Sequence, residues 1–343
     1  MNTRRCLWID YAKFFAIMGV ALMHVALPDE AKTFVRVSLI PFFFFLSGIF
    51  TKQYTDYPAF FKNKALRILI PYLTFNIVTY LFWLLISKHF GNCTDDSTTF
   101  WQSLLGVIYG SRYSIAHYVP LWFLPCMFMT ENLYFFVQKY SKSVKIKIVF
   151  ILISAAIGWL NYRFNPYVLP WGLGSAFVML VFYGLGDMIG KKLLHPTAKS
   201  LQNNILLFLG SAIAMTFIYF WLPVNQQISV IRNEYGNYLL FFNAAFVGIS
   251  GIVAFCKWLE NVSIPLKPLL FIGRNTLIVF GFHLAAMSLV KAITVFFFGL
   301  PLTIYDQTWV AISLAIASVV FCIPIIFIIN RYCPWFIGKK TNR

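Results

Sequence analysis

The feature that most constrains this chain is a succession of long apolar segments joined by short connections. Ten segments approach or exceed the roughly 20 residues that a helix needs to cross the hydrocarbon core of a bilayer. They lie at about residues 9–27, 33–51, 68–87, 118–137, 147–162, 171–190, 204–222, 238–256, 272–296 and 308–330. Lipid offers no partners to backbone N–H and C=O groups, and the alternating pattern of barrel strands is absent. The segments therefore predict transmembrane helices.

The composition excludes the other broad classes of protein. Of the 343 residues, 60% are hydrophobic and only 11% are charged, whereas about a quarter of the residues in a soluble domain are charged. A chain so poor in charge cannot cover a water-facing surface, and its apolar excess excludes disordered and collagen-like proteins. The sequence predicts an all-α, polytopic transmembrane helical bundle, with residues 1–343 forming a single integral-membrane domain.

The basic residues predict how the bundle is oriented. The chain has 28 Lys and Arg against 11 Asp and Glu, a formal net charge of +17. If the N-terminus is cytoplasmic, 20 basic residues fall in inner connections and 6 in outer ones, while Lys13 and Lys291 lie within segments. The positive-inside rule then places both termini in the cytoplasm. Because the charge is clustered between apolar runs, we expect a lipid bilayer and no nucleic acid as partner.

The cysteines do not predict a metal centre or a disulfide framework. They are spread along the chain without a C-x-x-C pair, at Cys6, Cys93, Cys126, Cys256, Cys322 and Cys333. Zinc sites and disulfide-rich folds usually show closely spaced cysteines. We therefore expect no metal site.

The first apolar segment carries three ionisable side chains, which are costly inside a bilayer and usually functional. Lys13 and His24 are 11 residues apart, which is close to three helical turns, so a helix places both on one face about 16 Å apart. Asp10 precedes Lys13 by one turn, a spacing at which an ion pair forms readily. A catalytic stripe would explain this pattern. An interfacial salt bridge together with a hydrogen-bonded core histidine would explain it equally well.

Six motifs follow one another along nearly the whole chain. They are the Lys13–His24 pair, PFFFFLSGIF at 41–50, KALRILIPY at 64–72, LWFL at 121–124, LPWGL at 169–173 with GLG at 184–186, and FIGRNTL at 271–277 followed by His283. In this order they resemble the motifs of the membrane acyltransferase-3 family. The family most often has Arg where this chain has Lys13, and Lys keeps the charge but loses the bidentate fork.

The resemblance implies an enzyme that O-acylates sugars of surface polysaccharides in the bacterial cytoplasmic (inner) membrane. It implies acyl-CoA as co-substrate, expected to be acetyl-CoA, and no permanently bound cofactor. His24 would act as general base, or through a covalent acyl-histidine, with Asp10 and Lys13 as its catalytic partners. The residues expected to bind acyl-CoA are Lys64, Arg67, Ser47 and Tyr72. For Ser47, a simple small-residue helix contact beside Gly48 remains open.

The acceptor, a polysaccharide or a lipid-linked sugar, would bind towards the outer face. Aromatic rings can stack on sugars, and arginines can hold acidic groups. The expected acceptor-binding residues are Trp122, Arg112, Arg163 and His283. An aromatic belt at the lipid interface is the structural alternative for the ring of Trp122.

Two other functions fit a polytopic chain with buried charge. A proton-coupled transporter or flippase of glycan intermediates could use Asp10, Lys13 and His24 as a proton relay, although transporters usually show repeats or broken helices in matched positions. A polysaccharide polymerase would be expected to carry one large outer loop, and no predicted connection exceeds about thirty residues.

Overall fold

The computed structural model describes residues 6–86, 100–111, 117–141, 143–195, 200–225, 228–262 and 264–339. Within these ranges the chain forms α-helices and no β-strand, which confirms the predicted all-α bundle. The helices are α1 (Leu7–Leu22), α2 (Asp29–Ile49), α3 (Tyr57–Leu85), α4 (Phe100–Tyr109), α5 (Phe123–Tyr140), α6 (Val144–Phe164), α7 (Leu173–Leu193), α8 (Leu201–Trp221), α9 (Tyr238–Val262), α10 (Lys267–Arg274), α11 (Thr276–Phe298) and α12 (Thr308–Tyr332).

Eight of the described helices are long and apolar enough to cross a membrane, namely α2, α3, α6, α7, α8, α9, α11 and α12. The predicted segments 9–27 and 118–137 also form helices, but α1 has only 16 residues. Helix α5 has 18 residues and includes Glu131 and Asn132, which make it more polar. The polytopic bundle is confirmed, and ten crossings would require these two shorter or more polar helices to span as well.

The basic connection predicted before the third segment is itself helical. Helix α3 begins at Tyr57, because the Asp56 side chain caps it by accepting a hydrogen bond from the Ala59 backbone N–H at 2.8 Å. Such a cap satisfies one of the N–H groups that a helix start leaves without a partner. Lys64 and Arg67 therefore project from a helix, although the sequence analysis counted them in a connection between apolar segments.

Helices α2 and α3 each contain a short π-helical segment, Val35–Leu39 and Ala65–Leu69. Each segment is followed by an Ile-Pro pair, ending in Pro41 and Pro71 respectively. Proline has no N–H to donate, and its ring clashes with the carbonyl four residues earlier, so the turn before it widens. The wider turn rotates the side chains on either side of it relative to an unbroken α-helix.

The centre of the bundle is formed by α2 and α7. Within their most apolar windows, 72% of the residues in α2 and 67% of those in α7 and the turn before it are buried in the protein, against 17% in α6 and 22% in α8. The apolar surfaces of α6 and α8 are therefore left for lipid. Large aromatic side chains such as Phe44, Phe45 and Phe182 are completely buried around the central pair.

Glycines allow α2 and α7 to touch backbone to backbone. A Cβ atom on Gly48 would clash with the carbonyl oxygen of Tyr183, and one on Gly186 would clash with that of Phe45. Close approach through small residues is the usual way in which membrane helices gain packing contacts without a hydrophobic driving force. This crossing fixes the middle of the bundle.

We expect Gly186→Leu to cost about 3 kcal/mol or more of folding free energy, because a larger side chain there would have to displace backbone rather than a flexible side chain. The measurement is thermal unfolding of the purified protein in detergent. Gly210→Leu is the matched control, since nothing lies within 4 Å of a Cβ atom at Gly210. Equal melting temperatures for the two variants would contradict the close crossing.

Candidate active site

Helix α1 presents one stripe of side chains to a cavity of about 400 Å³. Ile17, Val20 and His24 all line this cavity, and Lys13 lies one turn before Ile17 on the same stripe. The helix ends at Leu22, so His24 lies beyond its last residue and not within a helix that reaches residue 27 as predicted. The backbone N–H of His24 still donates to Ala21 at 3.1 Å, which tightens the last turn and keeps the stripe nearly continuous.

His24 lies beside a second histidine from α11. The ring centroids of His24 and His283 are 5.4 Å apart and their planes are inclined by 50°. His283 is completely buried, while His24 is half-buried and lines the cavity. The fold thus brings together the proposed base and a residue that the sequence analysis assigned to the acceptor.

The hydrogen bonds of His283 identify which of its nitrogens carries a proton. Its Nδ1 lies 3.0 Å from the carbonyl oxygen of Phe280 and 3.2 Å from that of Val279. The Tyr118 hydroxyl lies 3.4 Å from Nδ1 and donates to the same Phe280 oxygen at 3.2 Å. Carbonyl oxygens only accept, so a proton on Nδ1 satisfies the two shorter contacts. Nε2 is buried and has no hydrogen-bond partner among the described residues. A proton there would be an unpaired buried donor, so Nε2 carries a lone pair.

Arg36 lines the same cavity and was not proposed as a site residue from the sequence. It lies in the π-helical segment of α2, is half-buried and forms no ion pair with any described residue. The sequence analysis used the basic residues near the ends of the apolar segments to predict the orientation. Arg36 was therefore counted only among the six basic residues of the outer connections. The signal that could have found it is an arginine five residues before Pro41, inside an apolar segment.

The loop between α8 and α9 closes one side of the His24 cavity with Ser229–Ile231. Asn225 holds this loop by donating to the carbonyl oxygen of Tyr235 at 3.1 Å and accepting from the Asn237 N–H at 2.9 Å. The Ser175 hydroxyl on α7 donates to the Val230 carbonyl at 2.6 Å. The wall is therefore built from a fixed loop, although the sequence analysis assigned it no function.

Asp10 forms an ion pair with a residue of another helix. Its carboxylate lies 2.9 Å from Nε of Arg274, at the end of α10, and the carboxylate is almost fully buried. The Lys13 ammonium lies 5.7 Å from the ring centroid of Phe50. Asp10 and Lys13 are thus near the start of α1, at the opposite end of this helix from His24.

The four residues proposed for acyl-CoA do not line the His24 cavity. Lys64 is paired with the buried carboxylate of Glu131 at 2.9 Å, which neutralises the charge expected to meet phosphate. Tyr72 is buried and donates to the Val107 carbonyl at 2.6 Å. Ser47 is half-buried next to the close helix crossing, and Arg67 is exposed to the surroundings.

The residues proposed to bind the acceptor do not all lie at the same site in the structure. Trp122 lines the His24 cavity, and His283 lies against His24. Arg163 is exposed near the end of α6 and does not line the cavity. Arg112 lies outside the described residues.

The geometry places His24, Arg36 and Trp122 around one cavity, with the His283 ring beside His24, and the sequence also matches a family model. The model is described as an acyltransferase domain and matches residues 7–330, nearly the whole chain. The chain belongs to the acyltransferase-3 family. No curated protein and no solved structure matches this acyltransferase.

We expect Lys64→Met to destabilise this acyltransferase by about 3–5 kcal/mol, because it leaves the buried Glu131 carboxylate without its partner. The double variant Lys64→Met/Glu131→Leu should recover most of that loss. Thermal unfolding in detergent measures both changes. If Lys64→Met is as stable as the wild type, the Lys64–Glu131 ion pair contributes nothing to the free energy of unfolding. The KM for the acyl donor, measured on the stable double variant, separates a structural role of Lys64 from donor binding.

Proposed function

We propose that this acyltransferase moves an acetyl group from acetyl-CoA to a hydroxyl of a surface-polysaccharide sugar, with His24 as general base. One observation carries the proposal: His24 lines a cavity and has the buried, hydrogen-bonded His283 ring directly beside it. Imidazole is the side chain best suited to take a proton from a hydroxyl near neutral pH.

In the proposed reaction a single base, His24, both takes up and returns the proton. His24 removes the proton from the sugar hydroxyl as the oxygen attacks the thioester carbonyl carbon. The tetrahedral species collapses, the C–S bond breaks, and the departing thiolate takes the proton from His24. Holding the two substrates together in the cavity supplies much of the rate acceleration, because it makes an encounter between two molecules effectively unimolecular.

We assign His283 the role of a positioning residue. It is completely buried, so it does not touch the substrate, and its Nδ1–H is fixed by backbone carbonyls. Its Nε2 has no hydrogen-bond partner among the described residues, so the proposed role is to accept one from the His24 ring when the substrates bind and thereby orient that ring. A base oriented by a third group is the common arrangement in acyl transfer.

The donor is proposed to enter from the end of the bundle that carries the basic residues. The cavity extends to Thr276 at the start of α11, and Lys13 lies one turn of α1 below Ile17 on the cavity wall. Arg67 is exposed on α3 and remains the best placed of the predicted residues to meet a phosphate, since Lys64 is paired. Acyl-CoA is made in the cytosol, so this end would face the cytoplasm of a bacterial inner membrane.

The acceptor sugar is proposed to occupy the part of the cavity near Trp122 and Arg36. An indole ring offers a face for a sugar, and a guanidinium binds anionic oxygens in a bidentate manner. Both residues line the cavity together with His24. This placement puts the hydroxyl beside the base while the thioester arrives from the opposite side.

We expect His24→Ala to lower acyl transfer by about 10²–10⁴-fold, the usual contribution of a general base. The measurement is mass analysis of surface glycans from cells that carry the wild type, the variant or no gene. His195→Ala is the matched control, since His195 is exposed at the end of α7. A gene-dependent gain of one acetyl mass per repeat that survives His24→Ala would disprove the role of His24. The absence of any mass change would favour transport.

We expect His283→Ala to reduce kcat less than His24→Ala does and to change the pH dependence of kcat, because the oriented base loses its neighbour. The pH profile is recorded on purified enzyme with acetyl-CoA. A merely structural role would lower the amount of active enzyme without moving the profile. An unchanged profile with reduced amplitude would therefore contradict the positioning role.

A further inference from the structure

A second cavity, of about 630 Å³, lies on the side of α1 opposite the His24 cavity. It is bounded by α1, the first part of α2, and the facing sides of α8 and α9. Apart from Lys32 and Ser211, every residue that lines it is apolar or glycine. Such a lining suits hydrocarbon and excludes a hydrophilic substrate such as a free sugar or a nucleotide.

The charge in this second cavity is at one end. Lys32, on α2, is half-buried and forms no ion pair with any described residue. The hydroxyl of Ser211 already donates to the Phe208 carbonyl at 2.7 Å. An apolar space with one cation that forms no ion pair with any described residue matches an amphiphile that has one hydrocarbon chain and an anionic head group.

The second cavity adjoins the candidate active site and shares one lining residue with it. Met23 lines both cavities and immediately precedes His24. Lys32 of the apolar cavity and Arg36 of the His24 cavity are four residues apart on α2. A phosphate held near Lys32 would thus lie close to the entrance of the cavity where the acyl group is transferred.

We propose that the apolar cavity holds the hydrocarbon chain of a lipid phosphate that carries the acceptor sugar, with Lys32 contacting the phosphate. The proposal rests on the function proposed above and specifies its acceptor as lipid-linked. The chain anchors the substrate between α1 and α8, and the sugar reaches past Met23 to Arg36, Trp122 and His24. The acyl group of the donor is a poorer occupant, since Lys32 lies far from the basic end where Lys64 and Arg67 are found.

Binding of the lipid can be measured without any acyl transfer. The full-length protein in detergent is titrated with farnesyl phosphate and observed by native mass spectrometry, with farnesol and inorganic phosphate as probes that lack one half of the ligand. We expect farnesyl phosphate to bind most tightly. Lys32→Gln should weaken it about tenfold, the effect of losing one charge-assisted contact. Ala212→Phe should weaken it by filling the cavity.

Two control variants separate the cavity from its surroundings. Leu209→Phe enlarges a lipid-facing side chain on the same helix that does not line the cavity, and Lys291→Gln removes a lysine that lies elsewhere, over the Tyr305 ring. Both should bind farnesyl phosphate as the wild type does. Equal effects of the cavity variants and the controls would overturn the proposal. So would displacement of farnesyl phosphate by an equal concentration of phosphatidylglycerol, which would mark a site for general membrane lipid.

A transfer assay distinguishes this inference from the proposed function. With a lipid-linked sugar, Lys32→Gln should raise KM, and with a soluble glycoside of the same sugar it should not. If the wild type binds farnesyl phosphate but transfers no acyl group to either acceptor, the proposed function is wrong and the lipid site stands. If transfer proceeds equally well with both acceptors in every variant, the lipid site is wrong and the function stands.

Discussion

The position of α1 against α10 and α11 is the constraint on which the candidate site depends. At one end of α1 the buried carboxylate of Asp10 pairs with Arg274, and a Cβ atom on Gly273 would clash with the Asp10 carbonyl. At the other end, His24 lies against His283. A buried carboxylate is very costly without its partner, so the first contact sets the axial register of the helix. The second contact is a consequence of that register.

Because α1 is fixed in this way, it separates two spaces of different chemistry. One side of the helix faces the cavity that contains His24, Arg36 and Trp122, and the other faces the apolar cavity that ends at Lys32. Met23 contributes to both. The helix thus forms a wall between a cavity with polar side chains and one lined almost entirely by apolar residues.

The spacing of Lys13 and His24 predicted a stripe on one helical face, because helical periodicity is a local property of the backbone. The helix itself ends at Leu22, two residues before His24. The Asp10–Lys13 spacing did not reveal the Arg274 partner, which is separated from Asp10 by more than 260 residues. The same limit applies to Lys64, whose partner Glu131 belongs to another helix. Charges inside a bundle choose partners by proximity in space, and a single sequence carries no record of that proximity.

The sequence by itself determined the class of this protein: an apolar, helical, polytopic chain with ionisable side chains in its first apolar segment. Those properties follow from hydropathy, periodicity and the cost of burying charge, each of which acts over a few turns of chain. Only the tertiary structure brought His283 to His24 and Arg36 into the same cavity, and only it enclosed the apolar space beside α1. These features depend on how helices cross, and small residues such as Gly48 and Gly186 decide those crossings through contacts between distant parts of the chain.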